Sequence, residues 1–384
     1  QSLLDENEEL CDLELQLPEL LQQAYAQGAR ILNISWGSAT ESYYTFDSAM
    51  IDQFMYDNQE MLVIVSAGND AANKKDKNGN PLPGFGTVGS PATTKNGLTV
   101  GASNSKRNNG DAESLAVFSS RGPCRPERRI KPDIVAPGTS ILSARSADAP
   151  DRNFDSFYTN PAYVFLAGTS MATPIVSGAA AIVREYYKKK RDHQQPGAAL
   201  IKATLINGTR RLSGASAMLG SEMIPNNNQG YGMLDMKMTI PNKQEDFKLW
   251  FCDSLTDSRL PFNKAGERRM FRLELKQDSW LRICMVFMDN PRMNVQSDLN
   301  LLISLEGTIT KWKGNAGINV KDEFFSDKEE DFTNNIEIVR IENAAPGSYL
   351  IEAVADNVAP AGNVVFAIVV TTGDNNSHFS TVQL

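Results

Sequence analysis

The chain has 384 residues, 41% of them hydrophobic and 22% charged, and a formal net charge of −8. That is an ordinary globular composition, long enough for two or three domains with real cores. The acidic balance argues against nucleic acid and anionic membrane surfaces as partners, and no apolar run approaches the roughly 18 residues of a membrane span. The chain opens on Gln1, and "QSLLDENEELCDLELQLPELL" has no signal-peptide character, which fits a truncated chain or a mature, cleaved one. Next, "LPELLQQAYAQGA" has helical apolar spacing and ends at Gly28, a C-cap residue. "RILNIS" follows as a short buried strand. Thr45–Glu60 is a predicted helix and "MLVIVSA" the next strand. Asn73–Gly86 is a polar Gly/Pro loop. "NGLTVGAS" and "KPDIVAP" are further strands, the latter stopped by Pro137-Gly138. Helices alternating with near-continuously apolar strands predict a parallel sheet covered on both faces.

The stretch "AGTSMATPIVSGAAA", Ala167–Ala181, predicts a helix that starts near Ser170. Ile175, Ala179 and Ile182 fall at i, i+4, i+7 and are expected to form its buried face. Pro174 is expected in the first turn, where its missing N–H is not needed. "REYYKKKRD" (Arg184–Asp192) places cations at the helix C-terminus, where they complement the dipole. The pattern changes near Gln229–Gln244. Beyond it come strand-like runs, "RRMFRLELK", "WLRICMVFM", "DLNLLISL", "IEIVRI", "GSYLIEAVA" and "VVFAIVVTT", several of them separated by turn signals. They predict an antiparallel sandwich or jelly roll, with a boundary near residue 240.

Cys11, Cys124, Cys252 and Cys284 are widely spaced and form no zinc or C-x-x-C pattern. One or two disulfides and free buried thiols both remain open, and Cys284, inside an apolar run, is expected to be a core thiol. Glycosylation-type sequons begin at Asn33, Asn207 and Asn375, a pattern that also arises by chance.

A serine at a helix head is ordinarily an N-cap. Here its surroundings favour a nucleophile. "GTSMATP" resembles the nucleophile motif of the subtilisin-like serine proteases over seven consecutive residues. "NISWGS" (Asn33–Ser38) is similar to that family's substrate-binding strand, "VSAGND" (Val65–Asp70) to its oxyanion segment, and "VFSSRGP" and "KPDIVAPGTSI" to two further segments. "QGYGMLD" and the β-rich segment after it resemble the branch of oxidation-resistant alkaline proteases with a C-terminal jelly roll, although "MVFMDNP" carries Phe where that branch tends to have Trp.

The resemblance implies a subtilisin-like α/β unit over 1–240, with helices on both faces of a parallel sheet and its N-terminal part missing, and an all-β jelly roll over 241–384. It implies acyl-enzyme proteolysis of a protein or peptide substrate, with Ser170 as nucleophile and Asn69 in the oxyanion hole. Ser35, Trp36, Gly37, Ser66, Ala67, Gly68 and Thr169 would bind substrate. It further implies secretion and a structural calcium, for which Asp289, Asp298, Asp331, Asn334 and Asn335 offer hard oxygen ligands.

A serine nucleophile also needs a base. The family places Asp and His upstream of the substrate strand, and no histidine precedes Asn33. His193 is expected to be a solvated loop residue or helix-terminal charge, and His378 to lie in a polar tail. Three explanations follow: the N-terminal portion of the precursor carries the Asp and His; the chain is a pseudoprotease that binds peptides or partners; or the fold is structural and the sandwich does the binding. The G-x-S-x-G elbow of the α/β-hydrolases does not apply, because position 172 is alanine. The acid-acting sedolisin relatives carry aspartate where this chain has Asn69.

Overall fold

The structure is a computed structural model that describes residues 16–73, 84–107, 110–145, 162–221, 223–243, 246–316 and 331–383. Cys11 and most of the Asn73–Gly86 loop lie outside the described residues. α1 (Leu17–Ala26) begins with Pro18 and a capping box between Gln16 and Glu19. Gly28 follows it at φ 96°, the left-handed conformation expected of a terminating glycine. β1 (Ile31–Ile34), α2 (Phe46–Asp57, capped by Thr45), β2 (Leu62–Ser66), β3 (Leu98–Ser103) and β4 (Ile134–Pro137) come next. The four strands form one parallel sheet in the order β1-β2-β3-β4, with Ile34 opposite Val65, Ser66 opposite Val100 and Val100 opposite Ile134. Every residue of β2 and β3 is buried. Since successive side chains point to opposite faces, both faces of the sheet are covered at its centre. Edge strand β1 differs: only Ile34 is buried, and Asn33 is exposed.

An antiparallel ribbon, β5 (Ile141–Ala144) and β6 (Tyr163–Leu166), leads into α3 (Thr169–Lys190). This long helix buries Ala172, Val176, Ala179, Ala180 and Val183 in the core that contains the parallel sheet. Two sequence expectations change here. Ala179 is buried, but Ile175 and Ile182 are 38% and 51% exposed. The small residues let the helix lie close to the sheet, and the two isoleucines fall on its opposite side. Pro174 sits beyond the first turn, inside the helix. The N–H it lacks would have bonded the Ser170 carbonyl. That carbonyl accepts instead from Ser35 Oγ at 3.1 Å.

α4 (Ala198–Asn207) is buried at every position, as a helix must be when it is covered all round. After the short α5 (Met236–Thr239) come β7 (Lys248–Asp253), β8 (Arg268–Leu275), β9 (Ser279–Phe287), β10 (Asp298–Leu305), β11 (Lys311–Lys313), β12 (Ile336–Ala344), β13 (Gly347–Asn357), β14 (Phe366–Thr372) and β15 (His378–Gln383). All six strand-like runs of the sequence are strands. They form two antiparallel sheets, β11-β10-β13-β8-β15 and β12-β9-β14-β7.

Phe271, Leu273, Ile283, Phe287, Ile303 and Ile351 belong to a core shared by the two sheets. The alternate residues Cys284, Val286, Ile338, Ala367 and Val369 join the core of α3, α4 and the parallel sheet. The second sheet is therefore apolar on both faces, and one continuous packing runs through α4. His378 opens β15 rather than lying in a tail, and is exposed. Cys124, Cys252 and Cys284 are free and buried; burial pushes the first two thiols up to about 11 and about 12, and raises the third as well. Asn207 is 1% exposed and donates to Thr371 Oγ1 at 2.9 Å, so its sequon is not an accessible acceptor in the folded chain.

Lys202 of α4 is wholly buried, and its Nζ donates to the carbonyls of Lys95 (2.9 Å), Asn96 (3.4 Å) and Gly97 (2.9 Å). Burial pushes its pKa down from 10.5 to about 8. Between those values the unfolded chain binds the extra proton, so this lysine's contribution to stability rises with pH through that window and is least favourable below it. The stability difference between wild type and Lys202→Met is expected to move in favour of wild type by up to roughly 3 kcal/mol across that range. Urea unfolding at a series of pH values measures it, and a flat difference contradicts it.

Candidate active site at the head of α3

The site forms where β2 ends. Ala67 N–H donates to Val100 O at 2.9 Å, and Gly68 turns the chain at φ 104°. A Cβ at Gly68 would stand 3.0 Å from Ser120 Oγ as well as requiring a strained backbone, so glycine suits the turn. The turn delivers Asn69 to the surface beside the head of α3.

Asn69 Oδ1 accepts both the Thr169 N–H (3.0 Å) and Thr169 Oγ1–H (3.1 Å), and Thr169 Oγ1 in turn accepts the Gly68 N–H at 3.2 Å. A backbone N–H can only donate, so these bonds orient the carboxamide: its oxygen faces the helix and its Nδ2 points away. Among the described residues no group bonds that Nδ2. In the first helical turn the Thr169 amide is used by Asn69 and that of Met171 by Gly168 O at 3.1 Å, whereas that of Ser170 has no partner among the described residues.

Ser170 is half-buried. Its Oγ–H donates to Ser35 O at 2.9 Å while Ser35 Oγ–H donates to Ser170 O, a reciprocal pair that joins the chain after β1 to the helix. Asn33 Nδ2 donates to Ser35 Oγ at 2.9 Å, and Ser177 Oγ to Asn33 Oδ1 at 3.0 Å, which steadies Ser35. Trp36 packs on the core, and Gly37 is exposed. Beyond them, Ser38 and Ser90 exchange backbone hydrogen bonds of 2.9 and 2.8 Å. Ser66 and Ala67 are buried behind this surface. The structure thus gathers Ser35, Gly68, Asn69, Thr169 and Ser170. The Ser35 hydroxyl's bond to the helix escaped the sequence reading; the proline four residues after Ser170, which frees that carbonyl, was its available signal.

Neither histidine reaches this place. His193 follows the far end of α3, roughly 30 Å along the helix axis from Ser170. It is not a solvated loop residue: its Nε2 pairs with Asp253 Oδ2 at 2.8 Å, and its ring packs against Tyr187 and Phe251. β7 folds against the helix end there and covers it. His378 is in the antiparallel sheets.

The side chains named for calcium are turned to other partners. Asp289 accepts from Lys95 Nζ (2.5 Å) and from the N–H groups of Gln296 and Ser297. Burial raises the Asp289 carboxyl pKa, against the pull of Lys95 and those amides. Asp331 accepts from Thr333, Asn334 and Asn315, and Asn335 Nδ2 donates to Phe287 O at 2.9 Å. Asp298 receives Asn300 Nδ2 at 3.4 Å. Among the described residues no three His, Cys, Asp or Glu side chains gather as a metal site. A carboxylate filled by N–H donors and faced by an ammonium, as Asp289 is, does not fit a calcium ion.

The parallel sheet and the helix whose head carries Ser170 beside the strand ends form an α/β unit. A model of the subtilase family matches residues 14–232. The chain belongs to the subtilase family. Its relatives include the serine protease/ABC transporter B family protein tagA of Dictyostelium discoideum, 23% identical over 93% of this chain and 25% of that protein. Another is the serine protease AprX of Bacillus subtilis, 33% identical over 38% of this chain and 34% of the relative. The chain spans a quarter or less of the length of the Dictyostelium relatives it matches. Among solved structures, that of the prenylagaramide maturation protease PagA aligns with a TM-score of 0.44 and 25% identity, over 61% of this chain and 68% of the other.

Replacing Thr169 by valine removes one donor to Asn69 Oδ1 and the acceptor of the Gly68 N–H. A loss of about 1–3 kcal/mol in unfolding free energy is expected, largely restored by Thr169→Ser, as read by denaturant titration.

Proposed function

We propose that this chain is the C-terminal portion of a serine endopeptidase, with Ser170 as nucleophile and the triad Asp and His supplied by a segment upstream. The observation that carries this is a pair of donors beside Ser170, Asn69 Nδ2 and the Ser170 N–H, that no group among the described residues uses; the bonds of Thr169 to Asn69 Oδ1 orient the first. Ser170 Oγ attacks the scissile carbonyl as the histidine takes its proton. The carbonyl oxygen becomes an oxyanion that accepts from Asn69 Nδ2 and the Ser170 amide. Collapse expels the amine, protonated by the same histidine, and leaves an ester on Ser170. Water, deprotonated by that histidine, then releases the acid. Before any of this the Ser170 hydroxyl must leave Ser35 O for the base. Ser35-Trp36-Gly37 would pair with the substrate backbone and Gly68 would border its pocket, while Ser66, Ala67 and Thr169 are buried and back that surface.

Two surfaces support an upstream segment. β1 is a half-exposed sheet edge, and edges are normally paired or covered. Beside it α3 exposes Pro174, Ile175, Gly178, Ala181 and Ile182 in a helical stripe. A strand along β1, followed by a helix over that stripe, would cover both.

We further read residues 241–384 as a jelly-roll domain behind a catalytic unit of 1–240, and the protein as secreted. Among the described residues no helix is long and apolar enough to cross a membrane. Of the side chains named for calcium, Asp289 is faced by the Lys95 ammonium and does not fit the ion.

Labelling by a fluorophosphonate tests the activity. The longer protein bearing the upstream segment is expected to label at Ser170, and Ser170→Ala to abolish labelling. Asn69→Ala is expected to lower peptide turnover by about 10²–10³, the scale known for subtilisin itself. The chain alone is expected to label barely. A longer protein that carries no Asp and His, and does not label, would make this a peptide-binding pseudoprotease.

A further inference from the structure

Two wholly buried side chains, Lys95 and Asp289, meet where the subtilase unit touches the antiparallel sheets. Lys95 stands in the segment before β3; Asp289 follows β9. The Lys95 ammonium gives one hydrogen bond each to Asp289 Oδ2 (2.5 Å), Asn290 O (2.6 Å) and Asn294 O (3.0 Å). Three donors meet three oxygens, the full capacity of an ammonium group. The remaining carboxylate capacity is taken by the amides of Gln296 and Ser297.

The neighbouring residue repeats the link without charge. Asn96 Nδ2 donates to Asp289 O, and Asp289 N–H to Asn96 Oδ1, both at 2.9 Å. Behind them, Asp52 accepts the N–H groups of Lys95 and Asn96, and Lys202 binds their carbonyls. The backbone of this segment is held from the subtilase side, so Lys95 enters the 289–297 turn from a fixed base.

A carboxylate with two converging backbone carbonyls is the kind of oxygen set that binds a hard cation. We infer that the Lys95 ammonium is the resident cation of the 289–297 turn, taking from a neighbouring element the place a metal ion would fill and making this joint independent of metal. The turn is thereby ordered only when the two parts of the chain are packed together.

Thermal unfolding of the full chain tests this. The wild-type midpoint is expected to be the same in EDTA and in millimolar calcium. Lys95→Ala should lower the midpoint by roughly 5–15 °C, since it strands a buried carboxylate. It also opens the oxygen set, so calcium or propylammonium should restore at least half of the loss in a dose-dependent way. Neither cation should help K95A/D289N. If Lys95→Ala does not fold, Lys95→Met serves: it should be less stable than wild type, and K95M/D289N should regain part of the difference. A Lys95→Ala protein that neither cation stabilises would overturn the inference. So would Lys95→Met with a wild-type midpoint, or a wild type that EDTA destabilises only while Asp289 is present.

Discussion

One oxygen atom organises the reactive end of this molecule. Asn69 Oδ1, accepting from both the amide and the hydroxyl of Thr169, ties the turn after β2 to the first turn of α3. The same bonds decide what is left over. Because the carboxamide oxygen is used, the nitrogen is free to donate. The next amide, that of Ser170, lies in the first helical turn, where no intrahelical acceptor reaches it, and it has no partner among the described residues. The helix dipole adds positive potential at that place. A region of unused N–H groups beside a hydroxyl thus follows from how two segments interlock, and costs no reorganisation when charge develops there.

Burial on two sides organises the other half. α4 lies between the parallel sheet's core and the sheet built on β9 and β14, and every one of its residues is covered. A helix so placed cannot keep a polar stripe, and Lys202 is tolerated because three carbonyls receive its ammonium. Lys95 solves the same problem in the opposite direction, with its carbonyl held by one element and its side chain held by another. Buried ammonium groups of this kind add little net stability over apolar packing, but removing one partner is costly. They specify which surfaces meet.

The exposed isoleucines of α3 belong to the same logic. Ile175 and Ile182 carry apolar surface that the described residues do not cover, next to a sheet edge. The face that does pack is built of alanines and valines, because a helix crossing a sheet at close range needs small side chains.

Much of this was legible in the amino-acid sequence. Strand runs such as "MLVIVSA" and "VVFAIVVTT", the terminating Gly28 and the helix after Gly168 are local patterns of period and capping, which short-range physics dictates. Ser170 and Asn69 were legible as members of quoted motifs. What was not legible depends on contacts between residues far apart in the chain. The spacing of Ile175, Ala179 and Ile182 marks an apolar stripe but cannot say whether the sheet lies under it. Pro174 looks like a first-turn residue until it is found inside the helix, with Ser35 Oγ donating to the carbonyl it frees. Asp289 looks like a metal ligand until the Lys95 ammonium is found beside it. His193 looks like a solvated loop residue until β7 brings Asp253 to it. The sequence by itself determined which segments are helix or strand and which side chains have the chemistry to react. Only the tertiary structure decided which faces are buried and which donors are spent, because both depend on what a distant segment places opposite each residue.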